Sequence, residues 1–164
     1  MRVQRYCFFW KLQNFSAFFL KKAQIFLFYF DFRTICSTFV PLNTYLYLMK
    51  ELVQTITEAI QEKKGSNIVI ADLSKIEGTI SQYFIICQGN SPSQVEAITE
   101  SIGDMASERL KEKPAHVVGL ENAQWVAMDY GDVLVHIFLP DVREYYDLEH
   151  LWEDAPLTRI PDLD

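Results

Sequence analysis

The residues able to do acid–base, nucleophilic or metal chemistry are few and scattered. The histidines are His116, His136 and His150, and the cysteines are Cys7, Cys36 and Cys87. A metal site needs several His, Cys or carboxylate groups at converging spacings. No such spacing occurs, so no metal and no other cofactor is expected. His136 stands mid-run between Val135 and Ile137 and reads as a histidine satisfied within the sheet. Cys87, between Ile86 and Gln88, reads as a buried small hydrophobe. Neither a G-x-S-x-G nucleophile turn nor a glycine-rich phosphate cradle is present. One arrangement could support nucleotidyl transfer: Gly65-Ser66 ahead of a strand, with carboxylates holding two metal ions. The nearest acid is Asp72, and a turn separates Asp129 from Asp132, so a helix end followed by a strand is the simpler reading.

Recognition chemistry has better material. Trp125, Tyr130, Tyr145, Tyr146 and Trp152 fall in the last third, among Asp129, Asp132, Asp141, Arg143 and Glu144. Tyr and Trp among charges are common anchors of protein interfaces. Tyr146 and Trp152, at helical spacing with Leu148 and Leu151, read as core. Trp125 opens a strand after a polar stretch, and both a core and a partly exposed position suit it.

Charge divides the chain. Residues 1–48 carry a balance of +5, residues 49–164 one of −12, and together they give the net −7 of the 164-residue sequence. Fifteen of the 23 aromatics also precede Met49, with neither helical nor alternating order. We therefore divide the sequence into a leader (1–48), a domain (49–155) and an acidic tail (156–164). Three readings compete for the leader. A membrane anchor is opposed by Lys21, Lys22, Asp31 and Arg33, which interrupt every run long enough to span. A transit peptide fits the basic, acid-poor balance but not the aromatic composition. Upstream sequence translated from a start codon assigned too early, with Met49 the true first residue, is preferred. An acidic domain has the wrong sign for phosphate, so it is not expected to read nucleic acid directly, and a basic protein surface is the better partner. No membrane association is expected. The single domain cysteine suits a reducing, cytoplasmic setting, or an organelle if the leader is a genuine transit peptide.

These residues need elements to position them. The periodicity predicts a helix over 50–64 with Leu52, Val53, Ile56, Ala59 and Ile60 as its apolar stripe, capped by Gly65. Strands follow at 67–73 and 83–87. Ser91-Pro92-Ser93-Gln94 is a helix start with a capping box, and that helix runs to about Lys111 before Pro114. A short strand at 116–119 precedes strands 124–130 and 133–138, joined through Gly131-Asp132. A last helix covers 143–152. The expected fold is α/β: one mixed sheet with helices packed on it, part of it parallel through a crossover from the 83–87 strand to the next.

Three segments carry a resemblance. Tyr83-Phe-Ile-Ile-Cys-Gln-Gly-Asn-Ser91 with Gln94-Val-Glu-Ala-Ile98, then Trp125-Val-Ala-Met-Asp-Tyr-Gly-Asp-Val-Leu-Val-His-Ile-Phe138, then Arg143-Glu-Tyr-Tyr-Asp-Leu-Glu-His-Leu-Trp152 resemble, in order and spacing, the signatures of the ribosomal silencing factor (Iojap) family. The match covers about Met49 to Ala155. It departs at Ser81-Gln82, where the family commonly has Asp or Thr-Asp, and at Ser93, where it often has Arg. The resemblance implies a nucleotidyltransferase-like fold without a working active site, hence no enzyme. It further implies binding to the fourteenth protein of the large ribosomal subunit, with steric exclusion of the small subunit and repression of translation. Organellar relatives are linked to large-subunit assembly, and dimers are known in the family, so a homodimer is a further expectation. By position the implied contacts are Trp125, Val126, Pro140, Asp141, Tyr145 and Tyr146, with Asp129 and Asp132 facing basic side chains.

Overall fold

A computed structural model describes residues 42–76 and 78–162. The domain lies in a compact unit running from Tyr45 to Asp164. Almost all of the expected leader, residues 1–41, lies outside the described residues.

Helix α1 spans Leu42–Glu62 and so begins on the leader side of Met49. The helical stretch 42–48 contains neither Gly nor Pro to stop it, and Tyr45 is tied down: its hydroxyl donates to Asp132 Oδ2 and accepts from Gln82 Nε2 at 3.1 Å. The expected stripe is buried at Leu52, Ile56, Ala59 and Ile60, while Val53 is half-buried. At the helix end the left-handed residue is Lys64 (φ 55°), not Gly65 as expected. Gly65 is needed for space instead. A Cβ there would lie 2.5 Å from Ile60 Cγ2 and 3.1 Å from Ile98 Cδ1.

One six-stranded mixed sheet follows, in the order β3-β4-β5-β2-β1-β6. Its strands are β1 (Ser66–Asp72), β2 (Tyr83–Gln88), β3 (His116–Val118), β4 (Trp125–Asp129), β5 (Val133–Phe138) and β6 (Leu157–Ile160). Only β2 and β5 pair in parallel; the other four pairings are antiparallel. The expected crossover therefore joins β2 not to the next strand but to β5. Helix α2 (Pro92–Leu110) carries the chain to the far edge, and β3 and β4 return it. Residues expected to be a tail form β6, which pairs Ile68 with Ile160 and Ala71 with Leu157.

Strand alternation gives the sheet two faces. Ile68, Ile85, Cys87, Val126, Met128, Val133, Val135 and Ile137 meet α1 and α2 in the core. Phe84, His136 and Phe138 point the other way, towards the C-terminal segment. Helix α2 starts as its sequence dictates, with Ser91 accepting from Gln94 N and Pro92 in the first turn. The expected capping box closes only in part: Gln94 Oε1 accepts from Asn90 N at 2.8 Å in place of the cap residue's own N–H, and its Nε2 donates to the carbonyls of Lys63 and Lys64. The two helices are thus stitched at one end.

The expected last helix is two. Pro140–Tyr146 forms α3 and Leu148–Leu151 forms α4, broken by Asp147 in the left-handed region (φ 41°). The break redirects the chain, and Leu148 is buried beyond it while Trp152 and Phe84 meet in a T-shaped contact with ring centroids 5.3 Å apart.

Candidate functional site

Four of the five aromatic residues singled out in the sequence, Trp125, Tyr145, Tyr146 and Trp152, join one continuous run across the face opposite α1 and α2, whereas Tyr130 packs against the core on the helix side. The run starts at Tyr145, 78% exposed on α3. Tyr145 meets Tyr146 edge-on at 5.0 Å, and Tyr146 meets Trp125 at 4.8 Å. Trp125 stacks on Phe138 at 4.9 Å, and His136 and Phe84 continue the run inward to Trp152. A large, rigid, partly wet aromatic surface backed by buried rings is well suited to anchoring a partner at little entropic cost.

Trp125 is held from three sides. Upstream, Gly119 (φ +93°) sits so close that a Cβ there would lie 1.9 Å from the Trp125 carbonyl oxygen. Downstream, Leu139 N donates to Gln124 O at 2.9 Å, locking the entry of β4 to the exit of β5. Across the sheet, the indole N–H donates to His136 Nδ1 at 3.2 Å. That bond places the neutral imidazole's proton on Nε2, which is buried without a hydrogen-bond partner among the described residues. Burial of the whole ring pulls the His136 pKa down to about 4. His136 is therefore a neutral core histidine that orients Trp125.

The eight candidate contacts do not form one surface. Pro140, Asp141 and Tyr145 are exposed, and Trp125 and Tyr146 are half-buried beside them. Val126 is fully buried in the core on the other face of the sheet, and Asp129 is buried with Oδ1 accepting from Gly131 N at 2.7 Å. Asp129 caps the β4–β5 turn, and Asp132 is the acceptor for Tyr45. Alternation carried a signal for Val126, since neighbours in a strand cannot face the same side.

Arg143 was noted in the sequence only as a charged neighbour, and it organises the segment. Its guanidinium bridges Glu149 Oε1, Gln88 Oε1 (3.3 Å) and the Asn67 carbonyl (2.7 Å), with its side chain only 10% exposed. Arg143 thus fixes α3 and α4 against the ends of β1 and β2. No local spacing announces this role, because all three partners except Glu149 are distant in sequence.

The nucleotidyl-transfer arrangement is not assembled. Asp72 caps Ser74 N at 2.9 Å, Asp129 caps its own turn, and Asp132 binds Tyr45. Among the described residues no three His, Cys, Asp or Glu side chains converge as metal ligands. Burial raises the Cys87 thiol pKa to about 12, which keeps it protonated and a poor nucleophile. No described helix is long and apolar enough to cross a membrane.

A small α/β protein on one mixed sheet, with an aromatic surface at its C-terminal helical segment, is the class these features define. Residues 48–164 match the family model described as "Ribosomal silencing factor during starvation", and the chain belongs to that family. A Bacillus subtilis protein named ribosomal silencing factor RsfS is 41% identical over 112 residues, 68% of this chain and 92% of that protein. Its Halalkalibacterium halodurans namesake is 40% identical over 111 residues, 68% of this chain and 93% of its own. The crystal structure of a Chromobacterium violaceum protein superposes with a TM-score of 0.60 at 36% identity, covering 63% of this chain and 85% of its own.

Proposed function

We propose that this protein is a ribosomal silencing factor that binds the large ribosomal subunit through its fourteenth protein, in the cytoplasm, and sterically prevents the small subunit from joining. Family membership across the whole domain carries this reading. The geometry supports it: Tyr145, Tyr146 and Trp125, with Pro140 and Asp141 at their border, offer a rigid aromatic anchor on an acidic domain. Complementary potential would speed its encounter with a basic ribosomal protein, and excluded volume needs no turnover. The active unit in this proposal is the domain from residue 49 onward, with β6 included.

Sucrose-gradient fractionation tests it. The protein should co-migrate with free large subunits and be absent from joined ribosomes. Tyr145→Asp should abolish co-migration while leaving the fold intact, because that ring is mostly in solvent. Trp125→Glu is a poorer probe, since it would also place a charge beside buried His136. Equal distribution of the wild-type protein over free and joined ribosomes would refute the proposal. Raised salt should weaken the contact if the acidic surface contributes.

A further inference from the structure

The opposite side of the molecule has a second surface that the aromatic run does not use. An open groove of about 600 Å³ separates α2 from the edge strand β3. Its floor is apolar: Val117, paired in register with core residue Met128, and Leu120, 43% exposed. Val117 and Met128 face the helices, whereas Trp125 faces away from them, so the groove and the aromatic run lie on different faces of the sheet.

Three features of this groove are locally unfavourable. Glu96, Glu100 and Asp104 repeat at four-residue spacing along its rim, an arrangement of like charges that weakens a helix. Among the described residues none of the three has a cationic partner. Gly103 stands mid-helix, where only proline is less favourable. No internal contact requires it, because a Cβ there would meet nothing within 4 Å. Leu120 leaves a large apolar side chain in water. Foldable sequences are locally consistent, and departures from consistency gather where a partner compensates them.

A single kind of occupant answers all three. We infer that this groove is a second docking surface, taking a segment of a partner protein that inserts apolar side chains between α2 and β3 and sets Lys or Arg against the Glu96–Glu100–Asp104 rim. Gly103 leaves room for the segment's backbone to approach the helix. Phosphate-bearing partners are repelled by the same rim, which selects protein over nucleic acid. This inference stands apart from the proposed function, and its occupant need not be the protein that meets Tyr145.

The test titrates the isotope-labelled full chain with a synthetic amphipathic Lys/Leu peptide, following backbone amide shifts. The perturbed amides should be those of Thr99, Gly103, Val117 and Leu120. Gly103→Met, which fills the groove while strengthening the helix, should weaken binding about tenfold or more, and Glu100→Lys should do likewise. Shifts spread over the other carboxylates, with both variants binding as the wild type does, would overturn the inference and leave nonspecific charge attraction. A phosphorylated oligonucleotide that shifts the same amides would overturn the choice of protein partner. Gradient fractionation separates this result from the earlier one, because loss of large-subunit binding in Tyr145→Asp is independent of the peptide titration.

Discussion

At the residue scale, the aromatic surface depends on side chains that a partner would never touch. His136 is the clearest case. An unfolded histidine takes up a proton below about pH 6.5, but His136 in the fold resists protonation until about 4. Between those values the unfolded state binds more protons, so acid favours unfolding. The His136 contribution to stability is complete above about pH 6.5 and declines by up to about 1.4 kcal/mol per unit as pH falls towards 4. Urea unfolding of the wild type and of His136→Phe, compared from about pH 5 to about pH 7, should show a steeper loss in the wild type. Parallel profiles would mean the ring titrates normally. Gly119 is the second case: Gly119→Ala combines a strained positive φ with overlap on the Trp125 carbonyl. It should cost roughly 2–4 kcal/mol in the same assay, and an unchanged midpoint would show that the loop yields easily.

At the element scale, most of the architecture was legible because its signals are local. Apolar spacing located α1, α2 and the five strands before β6. Ser91-Pro92 marked the start of α2, where Ser91 caps and Pro92 falls in the first turn. Gly131-Asp132 marked the hairpin turn. What escaped detection depends on contacts distant in sequence. The N-terminal extension of α1 is secured by Tyr45 on Asp132. The break at Asp147 accompanies the Arg143 bridges to Gln88 and Asn67. The burial of Val126 was readable from alternation, but that of Asp129 required knowing that its carboxylate caps Gly131. Arg143→Ala should therefore cost about 1–3 kcal/mol, since it strands Glu149 and frees the ends of α3 and α4. Hydrogen exchange would rise first in 141–152, before the rest of the sheet, and uniform acceleration would refute a local role. Gly103→Ala should move the other way, stabilising α2 by about 0.5–1 kcal/mol, as thermal unfolding would report.

At the scale of the whole molecule, the order β3-β4-β5-β2-β1-β6 makes the last residues structural. Strand β6 covers the outer edge of β1 through the pairings Ile68–Ile160, Val69–Arg159, Ile70–Thr158 and Ala71–Leu157. Without it, β1 would become a long, apolar edge strand with its backbone donors and acceptors unpaired, the kind of edge that recruits another chain. The two exposed central residues of β6, Thr158 and Arg159, place a hydroxyl and a charge at the present edge instead, which discourages such pairing. Deleting residues 157–164 should thus have two separable effects. Stability should fall by roughly 2–4 kcal/mol from lost ladder bonds and exposed apolar area. Association should become concentration-dependent in light scattering, because the bared edge of β1 pairs between molecules. The exposed end of the aromatic run, carried by α3, β4 and β5, is separated from β6 by β2 and β1 in the sheet order, so the truncated protein, when dilute and folded, should still co-migrate with large subunits. A truncated chain that stays monomeric and equally stable would show that β6 only rests on the sheet. One that stays folded but loses the large subunit would show instead that the C-terminal strand belongs to the binding surface.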